Sequence, residues 1–230
     1  MICLLSALAV ESKLFISALE NRREECRNFF RWYRGTLWGQ DVVVSVTGVG
    51  KIMAAAACQA AVDRFKPDAV IFTGAGGAIN KEISVGDLVV ATDCVQYDLN
   101  LKSFGFAPGE IPRSGMRFFS SDKDMVAAAV HFRPSGYNVV TGRVLTGDVF
   151  LDPDMLDIHG DSIQELSGDA VDMEGAAAAC AATMNGIPYL LIRYITDQVE
   201  AGPSGKFLFK IKTGSKRCFD LVHWIMKNRV

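Results

Sequence analysis

The chain has few of the residues that build metal sites. Three histidines occur among its 230 residues, and none of its six cysteines forms a C-x-x-C pair. Protein zinc sites need clustered cysteine and histidine ligands, so this pattern argues against one. Cys58 and Cys180 lie in alanine-rich runs, where a buried free thiol is the ordinary interpretation. Free thiols indicate a reducing compartment, and we expect a cytoplasmic location.

A long apolar run and an excess of positive charge are also absent. No stretch approaches the roughly 20 apolar residues that a membrane span requires. The N-terminal run MICLLSALAV has no basic residue and is interrupted by Glu11, which favours a buried first strand over a signal sequence. The net charge is −2, and charges of both signs are intermixed. The sequence therefore predicts neither a membrane protein nor a nucleic-acid binder.

Short apolar runs alternate with longer amphipathic ones along the chain. The pattern predicts strands over 2–7, 29–37, 42–47, 69–73, 88–91, 138–145 and 189–196, and helices over 11–19, 51–65, 122–131, 154–166, 174–184 and 204–228. Residues 98–120 contain prolines and glycines without periodicity, which predicts a long functional or interface loop. The alternation predicts an α/β fold, a three-layer sandwich with a central mixed sheet flanked by helices. We expect one domain over residues 1–230.

Two glycine clusters follow predicted strands, at 47–50 and 73–77. Glycine permits tight turns and close backbone approach. However, the Gly48-Val49-Gly50 segment lacks the third glycine of a dinucleotide-binding motif, and no G-x-x-x-x-G-K-[ST] sequence is present. Taken alone, these clusters favour plain strand-to-helix connections over phosphate-binding loops.

Three acids lie where strands end or helices begin, and ligands of open α/β sheets bind beyond the carboxyl ends of strands. Glu174 precedes an alanine-rich helix, whose N-terminus favours the ionised carboxylate. Asp197 follows a buried strand, where burial raises the pKa of an acid toward the range of a general acid. Glu11 follows the first strand. Locally, an ordinary helix-start acid explains Glu174 equally well, and an ordinary turn or helix-start acid explains Asp197 and Glu11 better.

One arginine, Arg193, lies inside the apolar strand predicted over 189–196. A buried arginine needs a carboxylate partner, and Glu174 or Glu11 could supply it. The sequence therefore predicts an ion pair close to the candidate acids.

Taken together, the segments resemble the 5′-methylthioadenosine/S-adenosylhomocysteine nucleosidases of the nucleoside phosphorylase family. The most specific matches are VDMEGA at 171–176 and RYITD at 193–197. TGVGK at 47–51, TGAGG at 73–77, VGDLV at 85–89 and TGDVF at 146–150 occur in the expected order and spacing. The resemblance covers nearly the whole chain. It implies a nucleoside phosphorylase-like fold and a homodimer that hydrolyses 5′-substituted adenosines without a cofactor.

The resemblance also implies roles for individual residues. Glu174, with the Met173 backbone, would bind the ribose hydroxyls, Asp197 would protonate N7 of adenine, and Glu11 would activate the attacking water. Arg193 would orient the carboxylates, Phe150 and Leu151 would contact the purine, and Leu8, Val49 and Phe207 would surround the 5′-substituent. Ala75, Gly77 and Thr196 would lie in the part of the site that holds the ribose, the water and the base. Phe104 and Pro112 would lie at a dimer interface.

The chain departs from the family pattern at four positions. Ala75 stands where the family commonly has a serine near the ribose and the water, so we expect water positioning to be the step most affected. Asp172 replaces a frequent glutamate, Thr196 a serine and Leu8 a methionine, and these three exchanges are conservative.

Three other functions share some of these features. A purine nucleoside phosphorylase needs cations for phosphate, whereas the turn after the first strand carries Glu11. An aminofutalosine hydrolase differs in its 5′ pocket, whose size the sequence does not give. A non-catalytic nucleoside-binding protein has no need of Glu11, Glu174 and Asp197 together. Hydrolysis of methylthioadenosine and adenosylhomocysteine is therefore the function we expect.

Overall fold

A computed structural model describes residues 1–27, 29–201 and 207–228, with only the backbone for residues 207–209. The strands are β1 (Ile2–Ser6), β2 (Glu20–Arg27), β3 (Phe30–Leu37), β4 (Gln40–Val46), β5 (Ala69–Ala78), β6 (Leu88–Gln96), β7 (Phe119–Ser120), β8 (Val139–Thr146), β9 (Ala170–Asp172) and β10 (Tyr189–Gln198). The helices are α1 (Ala9–Ala18), α2 (Lys51–Phe65), α3 (Lys123–Val130), α4 (Pro153–Leu166), α5 (Gly175–Met184) and α6 (Phe207–Asn228).

The strands form one mixed sheet in the order β10-β6-β8-β9-β5-β1-β4-β3-β2, with β7 paired to β6. Strand β10 also pairs with β5, so β5, β6, β8, β9 and β10 close a ring. Strands β4, β1, β5 and β10 are parallel neighbours, and their carboxyl ends meet at one edge. Ligands of α/β proteins bind at such an edge.

Helices cover both faces of the sheet. Helices α2 and α5 pack on one face through small side chains such as Ala54, Ala61 and Ala176. Helices α1, α3 and α6 cover the other face, with Phe15 and Leu221 in its core. The predicted three-layer α/β fold is confirmed.

Local chemistry explains several element boundaries. Trp38 and Gly39 both have positive φ, at 50° and 80°, as a two-residue hairpin turn between β3 and β4 requires. Asp122 and Asp152 cap helices α3 and α4, each accepting a backbone hydrogen bond at 2.9 Å. Because these signals are local, the hairpin and the two helices predicted from the sequence agree closely with the structure.

The sequence predictions were wrong in four places. Strand β2 was missed because its ENRREECR sequence is charged and exposed, as an edge strand permits. The short strands β7 and β9 were missed as well. Residues 74–78 do not form a turn but continue β5, because β10 pairs alongside them. Residues 204–206 of the predicted last helix lie outside the described residues.

The long segment at 98–120 contains a short 3-10 helix at Lys102–Phe104 and an isolated bridge between Ile111 and Met116. No helix within the described ranges is both long and apolar enough to cross a bilayer. In the same ranges, no group of three or more cysteine, histidine or acidic side chains is arranged to hold a metal ion.

Candidate active site

A cavity opens at the edge where the parallel strands end. Its described lining includes most of the residues singled out from the sequence: Leu8, Glu11, Val49, Ala75, Gly77, Phe150, Leu151, Met173, Glu174, Arg193, Thr196 and Asp197. Segments far apart in the chain therefore converge on one site. Phe104 and Pro112 do not line this cavity, and the side chain of Phe207 lies outside the described residues.

Glu11 is held in place by three hydrogen-bond donors. It lies in the first turn of α1 and is only 2% exposed. Its Oε2 accepts a hydrogen bond from the backbone of Leu8 at 2.9 Å. Its Oε1 accepts one from the backbone of Ala75 at 2.9 Å and one from the Tyr194 hydroxyl at 2.8 Å. The arrangement suits a carboxylate that acts as an acceptor in a fixed orientation.

Arg193 is fully buried on β10 and is neutralised by two acids. Its Nε donates to Asp172 Oδ2 at 2.7 Å, and its Nη2 donates to Glu174 Oε2 at 3.2 Å. Burial by itself would lower the pKa of Arg193, but Asp172 and Glu174 raise it above its ordinary value. The guanidinium is therefore a permanent cation between two carboxylates. The ion pair expected with Glu174 is present, and Asp172 is a second partner.

Glycines give Arg193 its space. A Cβ on Gly74 would overlap Arg193 Nη1, and a Cβ on Gly76 would lie 3.2 Å from Arg193 Cβ. Neither glycine has a positive φ. The glycine cluster at 73–77 therefore serves close packing of β5 against the arginine rather than a turn.

Glu174 precedes α5, but its side chain does not cap that helix. Asp172 accepts the hydrogen bond from the Gly175 backbone at 2.9 Å, and the Thr146 hydroxyl accepts the one from Ala176 at 2.8 Å. Glu174 Oε1 instead accepts a hydrogen bond from the Gly50 backbone at 3.0 Å. The Gly50 turn, at φ 98°, thereby joins the loop after β4 to this acid.

Glu174 ionises less readily than its position before a helix predicts. Burial, with the neighbouring charge of Asp172, raises the pKa of Glu174 to about 7, although Arg193 and the Gly50 backbone act in the opposite direction. The helix N-terminus does not lower this pKa because Asp172 and Thr146 already occupy its N–H groups. Glu174 thus exchanges a proton near neutral pH.

Asp197 lies near the end of β10 and is 7% exposed. The Thr196 hydroxyl donates a hydrogen bond to its Oδ1. Its Oδ2 faces Gly77, where a Cβ would lie 3.2 Å away. One carboxyl oxygen is therefore held by Thr196, the other lies on the Gly77 side, and both Asp197 and Gly77 line the cavity.

The family model of the phosphorylase superfamily matches residues 1–226. A 5′-methylthioadenosine/S-adenosylhomocysteine nucleosidase of Anoxybacillus flavithermus is 33% identical over 200 residues, which cover 85% of this chain and 84% of the relative. The chain belongs to the phosphorylase superfamily. The resemblance drawn from its motifs is confirmed.

Solved structures of the superfamily agree with the fold. A nucleosidase of the same description from Colwellia psychrerythraea, in complex with adenine, matches with a TM-score of 0.92 and 28% identity, covering 99% of this chain and 95% of that one. The Neisseria meningitidis nucleosidase in complex with methylthio-immucillin-A matches with a TM-score of 0.91 and 28% identity, covering 98% of each chain.

Two residues of this superfamily member that contact the predicted acids were not identified as site residues from the sequence. Asp172 was regarded as a conservative exchange, yet it holds both Arg193 and the start of α5. Tyr194 lies in an apolar strand and therefore resembled a core residue. No local signal was available for Tyr194, because its partner Glu11 lies 183 positions away in the chain.

Proposed function

We propose that the protein hydrolyses the N-glycosidic bond of 5′-methylthioadenosine, S-adenosylhomocysteine and related 5′-substituted adenosines, and releases adenine and the 5′-substituted ribose. The observation that carries this proposal is the convergence of Glu11, Glu174 and Asp197 on one cavity around the buried Arg193. The nucleosidase descriptions of the relatives support the substrate class.

The arrangement answers the charges that develop in the reaction. Cleavage of the glycosidic bond builds positive charge on the ribose and negative charge on the base. Asp197, through the oxygen on the Gly77 side, protonates N7 of the leaving adenine. Glu174, oriented by Arg193 and Gly50, binds the ribose hydroxyls together with the Met173 backbone. Glu11 accepts a proton from the attacking water.

The charge of the cavity favours water over phosphate as the nucleophile. Among the described lining residues, four are acids and one is a cation, and that cation, Arg193, is already paired with Asp172 and Glu174. Phosphate binding needs cationic donors that are available to its oxygens. Glu11 is one of these four acids and is not ion-paired with Arg193 in the described contacts. We therefore infer hydrolysis rather than phosphorolysis.

The apolar lining accounts for the remaining contacts. Phe150 stacks on the purine ring, and the Leu151 backbone contacts its edge. Leu8 and Val49 pack against the 5′-substituent. Phe150 and Val49 are 44% and 50% exposed, so both have free surface for a ligand.

Adenine release from a panel of nucleosides tests this function. The panel holds methylthioadenosine, adenosylhomocysteine, 5′-deoxyadenosine and aminofutalosine, each with and without phosphate. We expect release from the first two at the same rate in both buffers. Release only with phosphate would contradict hydrolysis, and activity confined to aminofutalosine would replace the substrate.

We also propose a homodimer in which Phe104 and Pro112 of each subunit complete the partner's cavity. Phe104 and Ile52 are 76% and 80% exposed, which favours an interface that covers them. Phe104 and Pro112 are also not among the described residues that line the cavity of their own chain. Sedimentation analysis of the wild type and Phe104→Ser tests this. A dimer weakened in the variant, with reduced adenine release, is expected; a fully active monomeric wild type would contradict it.

A cytoplasmic location is proposed on the six cysteines, none of which is paired. Fractionation of cells expressing the native gene tests it. We expect adenine-releasing activity in the cytoplasmic fraction, and activity confined to an exported fraction would contradict it.

A further inference from the structure

Tyr194 contacts a carboxylate that lines the cavity. Its hydroxyl donates to Glu11 Oε1 at 2.8 Å, and its side chain is 1% exposed. Tyr194 is not among the described lining residues of the cavity. Glu11 is the cavity-lining residue to which Tyr194 donates a hydrogen bond, so Glu11 provides its direct route to the reaction.

The acceptor positions of Glu11 are unequally filled. An ionised carboxylate has about two acceptor positions on each oxygen. Oε1 accepts from the Ala75 backbone and from Tyr194, which fills both. Oε2 accepts from the Leu8 backbone. Among the described groups nothing else donates to Oε2, so this oxygen retains an acceptor position beside the cavity.

The tyrosine ring is held rigidly. A Cβ on Gly214 of α6 would overlap the Tyr194 ring, so the helix backbone packs directly against it. Burial and the charge of Glu11 raise the pKa of the Tyr194 hydroxyl above its ordinary range, so it stays protonated and donates. Ala75 offers Glu11 only its backbone N–H. Among the described residues, Tyr194 is thus the side-chain donor to Glu11.

We propose that Tyr194 is a positioning residue for hydrolysis: by filling Oε1 it fixes the Glu11 carboxylate so that Oε2 receives the proton of the attacking water. This inference rests on the proposed function. It also explains how the site orients Glu11 with an alanine at position 75. The charged and titratable groups facing Glu11 are Arg193 and Tyr194 on β10, Glu174 before α5 and Cys218 on α6.

The variant Tyr194→Phe removes the hydroxyl and keeps the ring. We expect kcat for methylthioadenosine to fall roughly tenfold, the effect typical of losing a hydrogen bond to a charged group. KM should change less than about twofold, because Tyr194 does not line the cavity. The acid limb of the kcat profile should move to higher pH, since a carboxylate that loses a donor holds its proton more tightly.

Tyr189→Phe is the matched control. Tyr189 is also buried on β10, and its hydroxyl donates to the Gly175 carbonyl at 3.1 Å rather than to a carboxylate. Tyr189→Phe should lose about as much thermal stability as Tyr194→Phe, but the acid limb of its kcat profile should stay where it is in the wild type. Equal kcat losses in both variants with unmoved pH profiles would overturn the proposal, as would wild-type kcat in Tyr194→Phe.

A measurement without turnover separates this inference from the proposed function. Glutamate labelled with ¹³C at the carboxyl is titrated by NMR in the wild type and Tyr194→Phe, with Glu11→Gln assigning the signal. The Glu11 midpoint should rise in Tyr194→Phe. An unmoved midpoint overturns the inference, whereas a moved midpoint in a chain that releases no adenine overturns only the function. Should Tyr194→Phe not fold, 3-fluorotyrosine at position 194, a stronger donor, should lower the midpoint; an unchanged midpoint there also overturns the inference.

Discussion

Asp172 Oδ2 accepts a hydrogen bond from Arg193 Nε at 2.7 Å, and the two side chains are 0% and 1% exposed. The same oxygen accepts the Gly175 backbone N–H at 2.9 Å. Asp172 thus caps α5, which the Glu174 side chain does not do, and shares the neutralisation of Arg193 with Glu174. The carboxylate of Glu174 is thereby available at the cavity for a ligand.

Asp172→Asn should destabilise the protein strongly. Breaking a buried ion pair leaves Arg193 without its main counter-charge, at a typical cost of about 3–5 kcal/mol in the free energy of unfolding. Urea denaturation measures this cost. Asp220→Asn is the control, because it breaks the exposed Lys216–Asp220 pair, which should contribute under about 0.5 kcal/mol. Equal losses in the two variants would contradict the role given to Asp172.

Glu174→Gln should change how stability depends on pH. The pKa of Glu174 is about 7 in the folded protein, above its ordinary 4.5, so folding favours the protonated form. This contribution is fully present below pH 4.5 and is lost as pH rises through 7. The Tm of the wild type should therefore fall across this window more steeply than that of Glu174→Gln.

Melting curves of the ligand-free proteins between pH 4 and 8 check this expectation. Parallel Tm profiles in the two proteins would show that Glu174 carries no raised pKa. Adenine release should be nearly abolished in Glu174→Gln at every pH, because a neutral amide cannot replace the carboxylate that binds the ribose hydroxyls.

Asp197→Asn should slow adenine release by a factor of about 100 to 10,000, the usual contribution of a general acid. A 4-nitrophenyl riboside needs no such acid, because its leaving group departs as an anion. The variant should therefore retain far more of its activity on the nitrophenyl substrate than on methylthioadenosine. Equal losses on both substrates would show that Asp197 acts in some way other than proton donation.

Much of the fold and the three acids of the site were predictable from the sequence. The apolar runs of β1 and β10 are buried along nearly their whole length, so their pattern gave strands directly. Glu11, Glu174 and Asp197 were singled out by position and by the order of the surrounding motifs. Strand β2 and the strand conformation of residues 74–78 depend on pairing with distant segments, which local pattern does not report.

The electrostatics of the site were less predictable than its residues. The pKa of Glu174 depends on burial and on Asp172, whereas the local sequence shows only a helix start. The hydrogen bond between Tyr194 and Glu11 joins residues 183 positions apart. A tyrosine within an apolar strand gives no sign of such a partner until the fold brings the two together.

Gly74→Ala should disrupt the site through sterics alone. The added methyl group would overlap Arg193 Nη1, and it would also lie 3.2 Å from Glu11 Oε1. We expect a loss of about 1–3 kcal/mol in unfolding free energy and a large loss of kcat. Gly160→Ala on α4 meets no atom within 4 Å and should be neutral or slightly stabilising. Wild-type kinetics in Gly74→Ala would contradict the packing described for Arg193.

The central claim, that water and not phosphate cleaves the glycosidic bond, is tested most directly by the origin of the oxygen in the sugar product. Methylthioadenosine is turned over once in H₂¹⁸O containing phosphate, and the products are analysed by mass spectrometry before the label at the anomeric carbon exchanges. We expect one ¹⁸O atom in 5-methylthioribose and no sugar phosphate. Formation of 5-methylthioribose 1-phosphate would contradict it.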